Sequence, residues 1–143
     1  FDDRSGDRLR EWMDVTPAVF YDETRIAIAP MGFCFPGQDA KGGDLPPRKE
    51  CAPLWRGRLM AELTSLELVL LVGTHAQRWH LGPGATRLTD TVRSGPRPLA
   101  GDHSVLAIPL PHPSWRNTGW LKANPWFQSH VLPVVRRSVA RCI

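Results

Sequence analysis

The feature that most constrains the fold of this sequence is a pair of short apolar segments, each followed by residues that end a strand. Residues 66–72 have the sequence LELVLLV, and Gly73 follows directly. Residues 103–110 have the sequence HSVLAIPL, and we expect the prolines at 109, 111 and 113 to end this strand because proline donates no backbone N–H. Such segments are typical of parallel strands buried on both faces. Ligands of open α/β sheets bind beyond the carboxyl ends of strands, so His112 lies where a ligand would bind.

The remaining segments predict how the chain surrounds these two strands. An apolar run at residues 26–29, within the segment 24–34, predicts one more buried strand. Residues 36–47 are rich in Gly and Pro and predict a long loop. Helices are predicted from an N-cap at Ser5, from Thr16-Pro17, over residues 50–63, 75–81 and 86–93, and from Asn124-Pro125. Strands separated by helices favour right-handed crossovers, so the predicted fold is a three-layer α/β/α domain with a short parallel sheet.

Length and composition narrow the class of protein. The chain has 143 residues, the size of a single domain spanning 1–143. Its 18 Lys and Arg against 14 Asp and Glu give a net charge of +4, which favours a polyanionic partner without requiring one. No apolar run approaches the roughly 20 residues of a membrane helix. Three cysteines are a poor disulfide framework. We expect a monomeric cytoplasmic protein with no membrane partner.

Several residues have both a purely structural interpretation and a functional one. His112 is either a structural histidine on a proline-rich loop or a hydrogen-bond donor to a ligand. Gly73-Thr74 is either a plain helix-capping turn or a helix start whose N–H groups hold a phosphate. Trp115 either packs the loop or projects from it. Cys34 and Cys51, separated by sixteen residues, are on their own two buried free thiols.

Three segments, in the same order along the chain, resemble motifs of the uracil-DNA glycosylase superfamily. They are Phe1-Asp-Asp-Arg-Ser-Gly-Asp-Arg-Leu9, Leu70-Leu-Val-Gly-Thr-His-Ala-Gln77 and His112-Pro-Ser-Trp-Arg-Asn117. The second is similar to the family's G-[ST]-x-A-Q segment, and the third to its second signature motif, HPSP-like and followed in one branch by Arg-Asn. The first is similar to the segment just after the first signature motif. The cysteine spacing makes the iron–sulphur-type branch the nearest one.

The resemblance implies a role for each residue of these motifs. His112 would donate a hydrogen bond to the uracil oxygen on which negative charge accumulates as the glycosidic bond breaks. Phe1 would stack on the flipped base, and Trp115 or Arg116 would fill the space that the base leaves in the duplex. The other DNA-binding positions that it implies are Gly73, Thr74, Ser114 and Asn117.

The same resemblance implies parts that the printed sequence lacks. The first strand and the first signature motif, with the residue that activates the water, are expected upstream of Phe1. The asparagine that contacts uracil in several branches is missing from Pro30-Met-Gly-Phe33, so backbone groups would have to recognise the base. Cys34 and Cys51 would be two of the four thiolates of a [4Fe–4S] cluster, with the other pair outside this chain.

These observations predict a DNA repair glycosylase that flips uracil, or a related damaged base, out of DNA and hydrolyses its N-glycosidic bond. The alternative is a non-catalytic protein that binds uracil-containing or abasic DNA, because the water-activating residue is not in the sequence. A third hypothesis, a nucleotide-binding α/β protein with unrelated chemistry, has no Gly-rich phosphate loop to support it.

Overall fold

The computed structural model describes residues 2–40, 42–85 and 87–143, with the side chain of residue 83 excepted. In chain order the elements are α1 (Arg4–Met13), α2 (Pro17–Phe20), α3 (Cys51–Glu62), β1 (Leu68–Val72), α4 (Gly73–Leu81), α5 (Leu88–Arg93), β2 (Arg97–Leu99), β3 (Asp102–Leu110), α6 (Thr118–Ala123) and α7 (Leu132–Cys142). Two 3-10 turns, Gly82–Gly84 and Trp115–Asn117, and a π-helical turn, Phe127–Val131, connect them. No helix among the described residues is long and apolar enough to cross a membrane.

The sheet has the strand order β1-β3-β2, and it is mixed. β1 and β3 are parallel, in register from Leu68 opposite Leu106 to Val72 opposite Leu110. This confirms the parallel pair that the two apolar segments predicted. β2 pairs antiparallel with β3, with an irregularity between Pro98 and Leu99, and was not predicted. The α/β fold is therefore confirmed, with an antiparallel edge strand added to the expected parallel pair.

β3 ends at Leu110, the last residue of the predicted strand, but Pro109 lies within the strand and, contrary to the sequence prediction, does not end it. The N–H of Leu106 donates to Glu67 O on the β1 side, so the alternation of a strand directs the N–H positions at 107 and 109 to the other side. On that side β2 reaches only as far as Arg97, opposite Ala107. Pro109 therefore stands where no partner strand needs its N–H.

The predicted strand at residues 26–29 is wrong: residues 26–30 are irregular in the structure. A buried arginine of α3, Arg56, donates from one guanidinium nitrogen to Ala29 O at 2.9 Å, with Pro30 O at 3.5 Å from the same nitrogen. Pro30 itself has no N–H for a ladder. The apolar run alone did not reveal that the carbonyl of Ala29 accepts a hydrogen bond from the Arg56 side chain.

Most predicted helices are present at the predicted places, but several of them begin or end at other residues. Thr16 caps α2 with Pro17 in its first turn, and helices form within each of the predicted segments 50–63, 75–81 and 86–93, with α4 starting two residues early. α1 is capped by Asp3, which accepts the Gly6 N–H, and not by Ser5. Asn124-Pro125 does not begin a continuous α-helix, because the π-helical turn intervenes before α7. Pro133, which lacks an N–H, lies just after that turn.

The chain divides into two compact units. One contains Ile28–Leu66, and the other contains the residues before Ile28 and those from Glu67 onward. The core of the larger unit is formed by α1, α5, α7 and one face of the sheet. The rings of Trp12 and Phe127 pack edge to face there, with their centroids 4.9 Å apart, and Ile108 and Leu110 belong to the same core. α4 contacts both β1 and β3, and Leu71 of β1 and Ala107 of β3 are fully buried. The expectation of a single domain over 1–143 stays a prediction.

Candidate active site

Two sequence-predicted residues, Gly73 and His112, are brought together at the carboxyl ends of the parallel strands. Val72 and Leu110 end β1 and β3 in register, and each strand then leads directly into the site. A Cβ built on Gly73 would lie 3.5 Å from both Cβ and Cδ2 of His112. Gly73 has φ +81°, a conformation that L-residues with side chains avoid. The Gly73 backbone can therefore turn from strand to helix directly against the imidazole ring.

A buried glutamine, Gln77, fixes the ends of these two strands to each other. Its Nε2 donates to Leu110 O at 2.7 Å and to Leu71 O at 3.2 Å, and the residue is 1% exposed. Both amide hydrogens are therefore used, and one side chain of α4 joins β1 to β3. The two bonded carbonyls lie one residue before Val72 and two residues before His112. The sequence analysis quoted Gln77 within a motif and gave it no role.

The ring of His112 is oriented by the residue two positions along. The Ser114 backbone N–H donates to Nδ1 of His112 at 3.2 Å. Since Nδ1 accepts this bond, it carries no proton in the neutral ring, and the proton is on Nε2. Asn117 Nδ2 donates to His112 O at 2.8 Å and closes the loop. The loop therefore presents His112 as an Nε2–H donor.

The environment of His112 favours this neutral form. The residue is accessible to solvent, yet the protein atoms around the ring remove part of its hydration, and this desolvation lowers the pKa of His112 below 6.5. The carboxylate of Asp3 acts in the opposite direction and raises the pKa, offsetting part of the effect. At neutral pH the imidazole is uncharged and can donate a hydrogen bond without carrying a positive charge.

Arg8 connects α1 to the same loop. One guanidinium nitrogen, Nη1, donates to Pro113 O at 3.0 Å and to Ser114 O at 3.2 Å. Ser114 O also accepts the Asn117 backbone N–H at 3.1 Å. These bonds hold the loop against the helix that begins just after Asp3. No local sequence pattern singles out Arg8, because its partners lie more than a hundred residues away.

Beyond His112 the chain turns outward. Trp115 is 78% exposed in the 3-10 turn, and the Arg116 guanidinium carbon lies 5.9 Å from the centroid of its ring. This exposure contradicts the interpretation of Trp115 as a residue that packs the loop. Thr74 is half-buried in the first turn of α4, and no side chain caps that helix. The first N–H groups of a helix have no partner within the helix, so those of Gly73 and Thr74 suit an anion.

Three predicted site residues remain, namely Phe1, Cys34 and Cys51. Phe1 lies outside the described residues. Cys34 and Cys51 belong to the smaller unit and are free thiols. Cys34 is exposed and Cys51 is half-buried, so the interpretation of both as buried thiols is wrong. The Cβ position of Gly32 is 3.8 Å from Cβ of Cys51. Among the described residues no group of three or more His, Cys, Asp or Glu is arranged to hold a metal ion. A cluster on Cys34 and Cys51 would need two further thiolates.

The fold and the site define an α/β protein whose parallel strands present a neutral histidine donor beside a helix start. The family model described as the uracil DNA glycosylase superfamily matches residues 1–136 of the chain. The chain belongs to this superfamily, a family of glycosylase-type hydrolases that act on DNA.

Proposed function

We propose that this protein removes uracil, or a related damaged base, from DNA by hydrolysing the N-glycosidic bond after flipping the nucleotide out of the stack. The observation that carries the proposal is the placement of His112, neutral and with its proton on Nε2, at the carboxyl ends of β1 and β3. The family membership makes DNA the partner, and the choice of base is part of the proposal.

His112 would act on the charge that the reaction creates. The bond between C1′ of the sugar and the base nitrogen breaks, and its electron pair leaves with the base, where it is delocalised onto a carbonyl oxygen. Water supplies the oxygen that bonds to C1′, and its proton is released. A fixed N–H donor that faces the developing anion contributes about 3 kcal/mol when it is aimed at that charge. By the resemblance, the residue that orients the water belongs to the first signature motif.

The residues around His112 would hold the DNA. The N–H groups of Gly73 and Thr74, together with the Ser114 hydroxyl, are proposed to bind phosphate. Trp115 and Arg116 are proposed to enter the space that the flipped nucleotide leaves, for which their exposure suits them. A DNA contact of Asn117 would use atoms other than the amide hydrogen that binds His112 O. Stacking of Phe1 on the base stays a prediction.

The first test is His112→Ala, with His103→Ala as a matched control at an exposed position near the start of β3. We expect the single-turnover excision rate of His112→Ala to fall by about 10²–10³, with DNA affinity nearly unchanged, because the bond strengthens in the transition state. His103→Ala should excise at the wild-type rate. An unchanged rate in His112→Ala would remove His112 from the reaction. Tight binding of uracil-containing DNA with no base release by the wild type would favour the non-catalytic alternative.

The thiol pair is a separate proposal. Cys34 and Cys51 are proposed as two ligands of a [4Fe–4S] cluster completed by two thiolates outside this chain. Anaerobically purified full-length protein should then be brown and contain about four iron atoms per chain. Cys142→Ala should keep the iron, whereas Cys34→Ala should lose it. Colourless, iron-free protein would leave both residues as free thiols.

A further inference from the structure

Arg8 and His112 contact the same peptide group from opposite ends. The amide that joins Pro113 to Ser114 has its oxygen on Pro113 and its N–H on Ser114. Arg8 Nη1 donates to that oxygen at 3.0 Å, and the N–H donates to Nδ1 of His112 at 3.2 Å. The structure thus contains a continuous chain of hydrogen bonds from a guanidinium ion, through one amide, to one nitrogen of the imidazole ring.

We infer that Arg8 is a positioning residue that holds His112 in the tautomer with its proton on Nε2, acting through the Pro113–Ser114 peptide. This inference goes beyond the proposed function. Only the effect of Arg8 on excision depends on that function. In this inference Arg8 does not contact the base itself. It acts on the group that does.

The first physical reason is geometric. A backbone N–H directs the ring only if the peptide plane is fixed, and Arg8 is the side chain that binds the oxygen of this peptide. Arg8 holds the oxygen of that peptide and also the next carbonyl, Ser114 O, at 3.2 Å. The oxygen and the N–H of a trans peptide lie in one plane and point in opposite directions, so fixing the oxygen also fixes the direction of the N–H, toward Nδ1.

The second reason is electronic. A positive charge at the carbonyl oxygen draws electron density along the amide and makes its N–H a stronger donor, because hydrogen bonds in a chain polarise one another. A stronger bond to Nδ1 increases the cost of placing a proton on that nitrogen. Arg8 therefore opposes both the other tautomer and the imidazolium form. The charge of Asp3, which acts on the ring directly, favours the imidazolium.

The experiment reads the ring nitrogens of His112 by ¹⁵N NMR on the full chain without DNA, with His112→Gln to assign the signals. In the wild type we expect Nδ1 unprotonated and Nε2 protonated across neutral pH. In Arg8→Met we expect signals of exchanging tautomers and a raised pKa of His112. Arg8→Lys, whose ammonium can still donate to Pro113 O, should largely restore the wild-type spectrum. Arg4→Met removes the same charge from an exposed position of α1 and should leave the spectrum unchanged.

Two outcomes overturn the inference: a wild-type His112 protonated on Nδ1, or an Arg8→Met protein that is folded by its amide spectrum and keeps the wild-type ring signals. If Arg8→Met fails to fold, Arg8→Gln provides a neutral side chain with an N–H donor, and the same ring signals decide. Excision by Arg8→Met should fall by about tenfold or more, since a histidine held in the wrong tautomer cannot make its bond. A wild type that excises nothing would refute the proposed function and leave the spectroscopic result intact.

Discussion

Asp3 has two separable effects on the site. Its Oδ1 accepts the Gly6 N–H at 2.7 Å and caps α1, and its charge raises the pKa of His112. Asparagine caps helices as well as aspartate does but carries no charge. In Asp3→Asn we therefore expect the pKa of His112 to fall further, while the free energy of unfolding changes by less than about 1 kcal/mol. NMR titration of His112 and urea unfolding measure the two quantities, with Asp2→Asn as the neighbouring control.

The pH dependence follows from the sign of the shift. The pKa of His112 is lower in the folded protein than its ordinary value of 6.5, so the unfolded chain takes up this proton more readily. The contribution of His112 to stability is fully present above that value and is lost as the pH falls toward the folded pKa. If excision needs the neutral ring, its acid limb should move to lower pH in Asp3→Asn. A movement to higher pH would contradict the assigned effect of Asp3.

At the scale of single residues, the sequence revealed groups whose signal is local and missed those whose partners are remote. His112 could be identified because His-Pro-Ser follows directly after a strand. Arg8 and Gln77 could not, because each acts on carbonyls supplied by other elements, and carbonyls have no sequence signature. Arg8 bonds across 105 residues, and Gln77 bonds across 33 to Leu110.

At the scale of elements, the junction of β1, β3 and α4 depends on Gln77. Gln77→Leu has a similar volume but withdraws the donor from Leu71 O and Leu110 O in a site closed to water. We expect the free energy of unfolding to fall by about 2 kcal/mol, because each buried hydrogen bond contributes about 1 kcal/mol and two are lost. Gln128→Leu, at an exposed position, should change it by less than about 0.5 kcal/mol. Urea unfolding of the two variants measures this difference.

Excision separates this effect from simple loss of stability. Since Gly73 and His112 follow directly from the two strand ends, Gln77→Leu should excise more slowly even under conditions in which it is fully folded. Equal stability of wild type and Gln77→Leu would show that the two carbonyls do not depend on this side chain.

The elements predicted correctly are those that a continuous apolar pattern specifies by itself. β1 and β3 each contain a continuous apolar segment, and their parallel pairing is consistent with the helices between them. β2 has three residues, one of them proline, and exists because β3 offers it an edge. The run at residues 26–29 has the composition of a strand, but the guanidinium of Arg56 binds the Ala29 carbonyl. Whether a strand forms depends on such partners as well as on its own sequence.

At the scale of the whole molecule, the site is assembled from segments distant in sequence: the start of α1, the β1–α4 turn and the loop after β3. Arg8 and Gln77 are the hydrogen-bonding side chains that join them. This arrangement leaves Trp115 and Arg116 exposed, next to the group proposed to act on the base. The net charge of +4 favours approach to DNA as a whole, while these two side chains would set how the duplex is entered.

The last prediction concerns this entry into the duplex. Replacing Trp115 and Arg116 together by alanine should slow excision from double-stranded DNA by up to about a hundredfold, since opening the stack costs a few kcal/mol. Excision from single-stranded DNA, where no stack has to be opened, should change little. Single-turnover rates on matched oligonucleotides at one salt concentration measure both. The smaller unit supplies a control, Trp55 and Arg58, which are also exposed, with a guanidinium-to-ring distance of 5.2 Å.

The control pair replaced by alanine should leave the ratio of the two rates unchanged, because it removes the same side chains from elsewhere on the chain. Arg116→Ala alone should also reduce the slope of log affinity against log salt by about 0.9 if the guanidinium contacts a phosphate. Suppose that Arg116→Ala leaves the salt slope unchanged while the double variant excises more slowly from duplex only. Trp115 would then be the side chain that enters the duplex, and Arg116 would contact Trp115 and no phosphate. If the Trp115 and Arg116 double variant is slowed equally on single- and double-stranded DNA, the turn shapes the pocket around His112. A single strand has no base stack that a side chain would need to open.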